Sequence, residues 1–408
     1  MTMLTKKQTQ VINCIRKEQP KILLCSGAKR SGKTFVLTYA FLGQIARYRN
    51  RGLSFILGGA DLAALRRNVI DDMEDIVGHE LKPNKANAIS LFGNKIYIFG
   101  GQNSDSWKRV RGFTAAGAFL NEGTALHDTF IKECISRCSY PDARIFIDTN
   151  PDMPNHSIKT DYIDKDGQML NNGRLNIRAF NFTLFDNDAL DDEYVESIIQ
   201  ATPSGMFTDR DIYGRWVSAE GIVYSDFNAE RHYISRSRID NMQFVSYFAG
   251  VDWGYEHFGN ISVFGETDNG VVVMITEHAR QHKEIDYWVD IAQGIKDKYD
   301  NIPFYCDYAR PEHVARFRRE GLKALNANKE VISGIEQVAS RFKTDRLFIC
   351  DDCVRFREEI TMYAWNERTG EPIKQFDDVL DTIRYAIYTH YDDRRKAKVY
   401  SRKEIKIW

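Results

Sequence analysis

A chain of 408 residues is too long for one ordinary domain of roughly 100–200 residues, so two domains are expected. Its formal net charge of -1 excludes a uniformly basic protein and confines any nucleic-acid contact to local basic patches. No run approaches the ~18 apolar residues that span a bilayer, and Met1 to Lys7 lack a signal-peptide core, so a cytosolic protein without membrane contact is expected, its 7 cysteines being small buried hydrophobes and not disulfides or a zinc site.

Leu4 to Lys17 reads as an amphipathic helix with Thr5 as N-cap. Gln8, on its first turns, stands upstream of a phosphate-binding loop, where a glutamine either reads an adenine edge or stays solvated. The apolar run Lys21 to Cys25 predicts a buried strand, and Phe35 to Arg47 carries helical spacing. Between them, Gly27-Ala28-Lys29-Arg30-Ser31-Gly32-Lys33-Thr34 fits G-x-x-x-x-G-K-[ST]. In that context the backbone N–H groups of the loop, from Gly27 through Lys29, Arg30, Ser31 and Gly32, hold the phosphates of ATP at a helix N-terminus. Lys33 adds a point charge and Thr34 offers its hydroxyl to Mg²⁺.

Ser54 to Leu57 predicts a second strand, Asp61 caps a helix through Ile76, and Ala88 to Phe99, broken at Gly93-Asn94, reads as a hairpin. Ala118-Phe119-Leu120-Asn121-Glu122 is an apolar strand ending in an acid. Glu122 is the candidate for orienting the attacking water. Asn121 stands where an aspartate usually helps hold Mg²⁺, and an amide brings no charge. Arg111 precedes this strand in a glycine turn and is a candidate arginine finger, acting in cis or on a neighbouring subunit. Arg144 to Thr149 predicts the next strand, with Thr149 and Asn150 at the edge where open α/β sheets bind ligands and where a γ-phosphate is sensed. Strands alternating with helices predict a mostly parallel sheet.

These residues resemble the ATPase half of tailed-phage or prophage large terminase subunits, the motors that pack double-stranded DNA into capsids. The resemblance lies in the phosphate loop, Val110-Arg111-Gly112, the strand ending in Glu122, and Thr149-Asn150-Pro151. Thr208 to Trp216, with its Gly-x-Trp, looks like the segment that closes that half. The expected division is therefore a P-loop ATPase domain over 1–220, with a small lid or linker at about 180–220, and a second domain over 221–408.

The second half opens with Tyr247-Phe248-Ala249-Gly250-Val251-Asp252-Trp253-Gly254, a strand delivering Asp252 between small residues. Ile261 to Phe264 and Val271 to Thr276 follow as strands around Asp268-Asn269-Gly270, the meander of a ribonuclease H-like fold. After a helix from Lys283 to Tyr299, Pro303 to Cys306 ends in Asp307. Asp378 and Asp381, three apart at the start of a late helix, share one face. Such carboxylates suit two divalent ions, Mg²⁺ or Mn²⁺, about 4 Å apart, that stabilise attacking and leaving oxygens. Which of Asp378 and Asp381 is the nearer ligand is open at this stage. This set also resembles the large-terminase nuclease, with its Gly-x-Asp-x-Gly, strand-end Asp and late Asp-x-x-Asp. His257 and His313 are peripheral ligands, DNA contacts or solvated. Arg316, Arg318, Arg319, Lys323 and Lys329 hold DNA phosphates or form a solvated helix face. The basic end, Arg394 to Trp408, binds DNA, docks on a partner or is a tail.

The resemblance implies an ATP-driven translocase of double-stranded DNA joined to a metal-dependent endonuclease that cuts concatemers in the host cytoplasm. It also implies a ring on a portal protein, a monomer in solution, and a small terminase subunit as partner. The rival readings are a P-loop helicase or repair ATPase with a non-catalytic second domain, and a nucleotide-switched assembly protein.

Overall fold

The computed structural model describes residues 4–403, with side chains described to residue 392; the basic end from Arg394 on lies outside the described side chains. Residues up to Glu196 together with Phe207–Ser218 form one compact unit, and Ser197–Met206 together with residues from Ala219 on form another. All 7 cysteines are free and buried. Cys350 and Cys353 share a C-x-x-C spacing, and Cys350 groups with the carboxylates of Asp351 and Asp352.

The first unit is built on a seven-stranded sheet of β1 (Ile22–Gly27), β2 (Ser54–Gly59), β3 (Ala88–Leu91), β4 (Asn94–Gly100), β5 (Gly117–Leu120), β6 (Arg144–Thr149) and β7 (Ile177–Phe182), in the order β3-β4-β2-β5-β6-β1-β7. Every pairing is parallel except β3 with β4, the expected hairpin. Its turn puts Phe92 and Gly93 at positive φ, as a tight two-residue hairpin turn requires. The helix Lys33–Arg47 lays Phe41 against Phe55, Phe119 and Phe146, ring centroids 5.9–6.4 Å apart. That contact anchors the helix that starts at the phosphate loop.

The helix expected after Asp61 is interrupted. Asp61 does cap it, accepting from Ala64 N at 2.7 Å, but Arg66–Ile70 is a π-turn between Leu62–Leu65 and Asp71–Val77. β7 was not read from the sequence. Its backbone runs so close to β1 that a Cβ on Gly27 would lie 2.0 Å from the Phe182 carbonyl, which is why only glycine opens the loop there. Gly214 makes a second close approach to Phe182 and Gly27, and Trp216 Nε1 donates to Ser26 Oγ at 2.8 Å. The Gly-x-Trp therefore seals the strand beneath the phosphate loop.

The second unit carries a seven-stranded mixed sheet of β8 (Tyr233–Ile234), β9 (Ser246–Asp252), β10 (Gly259–Glu266), β11 (Val272–Arg280), β12 (Pro303–Cys306), β13 (Lys323–Asn326) and β14 (Leu347–Cys350), in the order β13-β12-β9-β10-β11-β14-β8. β9, β10 and β11 form the antiparallel meander, and β12 runs parallel to β9. This is the ribonuclease H-like arrangement. The helix Asp378–Lys403 lies directly on β9: a Cβ on Gly250 would meet the Thr382 carbonyl at 2.1 Å. Thr382 Oγ1 is locked to Asn260 and Ser262 at 2.8 Å in a buried polar cluster, which fixes the helix against the sheet.

Candidate functional site

In the first unit the ends of β1, β5 and β6 and the π-turn enclose a cavity of about 370 Å³ lined by Lys33, Thr34, Asn68, Glu122, Asp148 and Asn150, with Lys29, Arg30, Asn121 and Thr149 completing the wall. Lys33 is 6% exposed, and its Nζ donates to Asn150 Oδ1 at 2.7 Å and to the Ala28 carbonyl at 3.0 Å. Burial pulls its pKa down, opposed by the Asp148 charge. Ser31 Oγ is fully buried without a protein partner among the described residues. Lys29 is paired with Asp211 at 2.8 Å, and the Arg30 guanidinium stacks over Tyr194.

Gln8 is placed behind the loop. Its Oε1 accepts from Thr5 N at 3.0 Å and its Nε2 donates to the Gly32 carbonyl at 2.9 Å, so the amide braces the loop. Asn187 does the same from the other side, donating to the Arg30 carbonyl at 2.7 Å. Arg111 is exposed, 5.6 Å from the Trp107 ring centroid, and does not line this cavity.

Glu122 sits just past β5 in the left-handed region, φ 55°, a conformation non-glycine residues adopt at a cost of order 1–3 kcal/mol. Its backbone N–H is held by Asp148 Oδ1 at 2.9 Å and its carboxylate by Asn68 Nδ2 at 3.2 Å. Burial, then the Asp148 charge, raises its pKa. Two residues of this cavity were not singled out in the sequence, Asn68 and Asp148. Asn68 arrives through the π-turn, a feature that recurs at functional sites and leaves no local pattern. Asp148 sits at the end of an apolar run, the same signal that marked Glu122.

In the second unit, Asp252 at the end of β9, Asp307 just past β12, and Asp378 and Asp381 on the first turn of the helix converge at one edge of the sheet, beside a cleft of about 950 Å³. Burial pushes the Asp252 carboxyl well above the usual range, reinforced by the charges of Asp381, Asp307 and Asp378 in that order. Asp377 joins the cluster, raised to about 6 by burial and by Asp381 and Asp378. Three of these acids each meet a cation: Lys329 Nζ lies 2.6 Å from Asp307, Arg355 Nη2 3.3 Å from Asp378, and Arg384 Nη2 2.8 Å from Asp381. Lys329 thus sits at the acidic site. Arg316 is paired with Asp286 and Glu320 at 3.1 Å, and Arg318 Nε donates to the Ala324 carbonyl at 2.9 Å. His257 and His313 line the cleft, with the pKa of His313 lowered by burial against Trp253.

Both sites offer carboxylate and hydroxyl oxygens of the kind hard divalent cations prefer. Residues 24–231 match the family model described as terminase large subunit, T4likevirus-type, N-terminal. The large terminase of a thermophilic bacteriophage is similar over both units: 27% identity, TM-score 0.83, covering 94% of this chain and 98% of that one. The same phage protein in complex with ADP gives 28% identity and TM-score 0.80 over 94% and 98% of the two chains. In complex with ATP-gamma-S it gives 27% and 0.80 over 95% and 99%. No curated protein matches.

Proposed function

This chain belongs to the family of terminase large subunits, and from that premise we propose that it hydrolyses ATP to drive double-stranded DNA into a viral procapsid and cuts that DNA at the acidic site of its second unit. The observation that carries the proposal is that one chain holds two separate phosphate-handling sites, the Lys33–Glu122 cavity and the Asp252 cluster, on two sheets. A helicase with a non-catalytic second half and a nucleotide-switched assembly protein are not favoured, because the likeness to a phage large terminase extends over 94% of the chain.

At the first site the loop N–H groups and Lys33 bind the phosphates, and the related phage protein has been solved with ADP and with ATP-gamma-S. Glu122 orients the attacking water, held rigidly by Asn68 and by its strained backbone. Asn150, bonded to Lys33, is placed to report the state of the terminal phosphate to β6. Arg111 faces solvent, a placement suited to acting on a neighbouring subunit in a ring.

At the second site Asp252, Asp307, Asp378 and Asp381 are the carboxylates that would hold the metal, the charges of the other three all acting on Asp252. Two Mg²⁺ or Mn²⁺ ions held there would stabilise the oxygens of an in-line phosphodiester displacement. Lys329 and Arg355, already paired with the acids, would neutralise part of that charge and contact the DNA phosphates. The partners in this reading are duplex DNA, a portal protein and a small terminase subunit, with work done in the host cytoplasm.

The test uses the purified full chain. Plasmid cutting in Mn²⁺ should be lost in Asp252→Asn, and DNA-stimulated ATP turnover on portal-bearing procapsids should be lost in Lys33→Ala. Cutting that survives Asp252→Asn, in protein free of contaminating nuclease, would reject the second site.

A further inference from the structure

The amide at Asn121 leaves β5 without the acid that ordinarily stands behind the Mg²⁺ of a phosphate-loop site. The geometry points to Asp148, one strand nearer the loop, as the residue that has taken over this role. We propose that Asp148 is the positioning carboxylate for Mg²⁺ binding by Thr34, and that Asn121 is its complement. This rests on the ATP·Mg²⁺ reading of the cavity given above.

Asp148 is the penultimate residue of β6, in register with Cys25 of β1, and is 1% exposed. Thr34 Oγ1 donates to its Oδ2. With the hydroxyl proton committed to Asp148, the lone pairs of Thr34 face the cavity, the orientation a cation needs. Asn121 Nδ2 donates to both Asp148 oxygens at 3.0 Å, and Glu122 N donates to Oδ1 at 2.9 Å. Together these fill the roughly four acceptor positions of a carboxylate. Asp148 therefore acts behind Thr34, by orientation and charge, and not as a direct ligand.

Asn121 is explained by the same bonds. An aspartate at 121 would set two carboxylates face to face, and one would have to hold a proton. An amide turns that repulsion into two donated hydrogen bonds, while its own Oδ1 accepts from Asn68 Nδ2 at 3.3 Å. The carboxylate stands on β6, and the amide that donates to it stands just past β5. A buried carboxylate satisfied only by neutral donors is costly to hold ionised, which a bound cation beyond Thr34 and the nearby Lys33 would offset.

The test is the affinity of the full chain for a fluorescent ADP analogue in Mg²⁺ and in EDTA, the ratio of the two giving the metal's contribution. In Asp148→Asn that ratio should fall by about 10–100-fold, with the EDTA affinity little changed. Asn121→Asp with Asp148→Asn, which returns the acid to β5, should recover part of it. A ratio within about twofold of the parent in Asp148→Asn overturns the assignment. Should Asp148→Asn not fold, as judged by circular dichroism, Asp148→Glu replaces it: a displaced carboxylate that leaves the ratio unchanged also overturns it. Lys33→Ala separates the two levels of inference. If it leaves nucleotide affinity untouched in both media, the phosphate-site reading itself fails; if it lowers affinity in both while Asp148→Asn leaves the ratio intact, only the Asp148 assignment fails.

Discussion

Glu122 adopts a backbone conformation that works against it, φ 55° in a non-glycine residue, and keeps it through bonds from Asp148 to its N–H and from Asn68 to its carboxylate. Strain held by two independent partners is what a preorganised water-orienting group looks like. Glu122→Gln keeps the shape and can accept from Asn68, but removes the charge that orients and activates water. ATP turnover is expected to fall about 10²–10⁴-fold while ADP affinity stays within about threefold, measured by phosphate release and by nucleotide titration. Turnover that survives the change would move the water-orienting role elsewhere.

Residue-level electrostatics at the second site give a pH signature. The folded pKa of Asp252 lies well above 3.8 and that of Asp377 is raised to about 6, both by burial first. Between about pH 4 and the raised folded values, the folded state binds more protons than the unfolded state, so stability decreases as pH rises through that window. For Asp377 the window runs from 3.8 to about 6; for Asp252 it starts at the same place and extends upward. Metal-free protein is therefore expected to lose thermal stability on going from about pH 4.5 to above pH 6, and Asp252→Asn should flatten the slope. Mn²⁺, by neutralising the ionised cluster, should restore most stability at the alkaline end. A metal-free stability that rises across this range, after correction for the other carboxylates by the Asp252→Asn comparison, would contradict the clustering.

At the scale of elements, the acidic site depends on how the helix Asp378–Lys403 seats on β9. Glu359 holds its start: it is fully buried, accepts from Val379 N at 2.8 Å, and pairs with Arg355, which in turn meets Asp378. Gly250 sets the distance, since a Cβ there would lie 2.1 Å from the Thr382 carbonyl. Gly250→Ala must push the helix off the strand, at a cost of roughly 1–3 kcal/mol. A displacement of about 1 Å at Asp378 and Asp381 is enough to lose on the order of 10²-fold in cutting. The melting temperature should drop modestly and Mn²⁺-dependent cutting severely; equal activity in the variant would mean that the helix position is not critical.

These elements also show what sequence could and could not reveal. The phosphate loop is legible because its function is written in contiguous residues with a strand before and a helix after. Asp252, Asp307, Asp378 and Asp381 were legible because each ends an apolar run or opens a helix. Asp148 fits the same description, yet its importance depends on β6 lying between β1 and β5, and strand order is not a local property. Arg355 reaches Asp378, and Glu359 the start of the helix that carries it, from a separate element, so nothing in their own surroundings marks them, and the pairing of Lys329 with Asp307 is equally invisible in sequence. The π-turn at Arg66–Ile70 breaks an otherwise helical pattern with no glycine or proline to announce it. Gln8 shows a related limit, since an amide that braces a loop and one that reads a base look the same in sequence, and only its bonds to Thr5 and Gly32 reveal the bracing.

At the scale of the whole molecule, each unit has its own sheet, its own buried core and its own site. Phe41, Phe55, Phe119 and Phe146 pack within the first, and Val251, Trp288, Phe304 and Phe317 within the second. Neither cavity draws a lining residue from the other unit. Chemistry at one site should then be separable from chemistry at the other, even though packaging needs both. In the full chain, Lys33→Ala is expected to abolish ATP turnover and leave Mn²⁺-dependent plasmid cutting within about threefold of the parent, because sites with no shared partners behave additively. Asp252→Asn should do the reverse. Crossed assays on the two variants and their combination decide it. If Lys33→Ala lowers cutting as much as it lowers turnover, while circular dichroism shows both units folded, the two sites are energetically coupled and nucleotide state gates the nuclease.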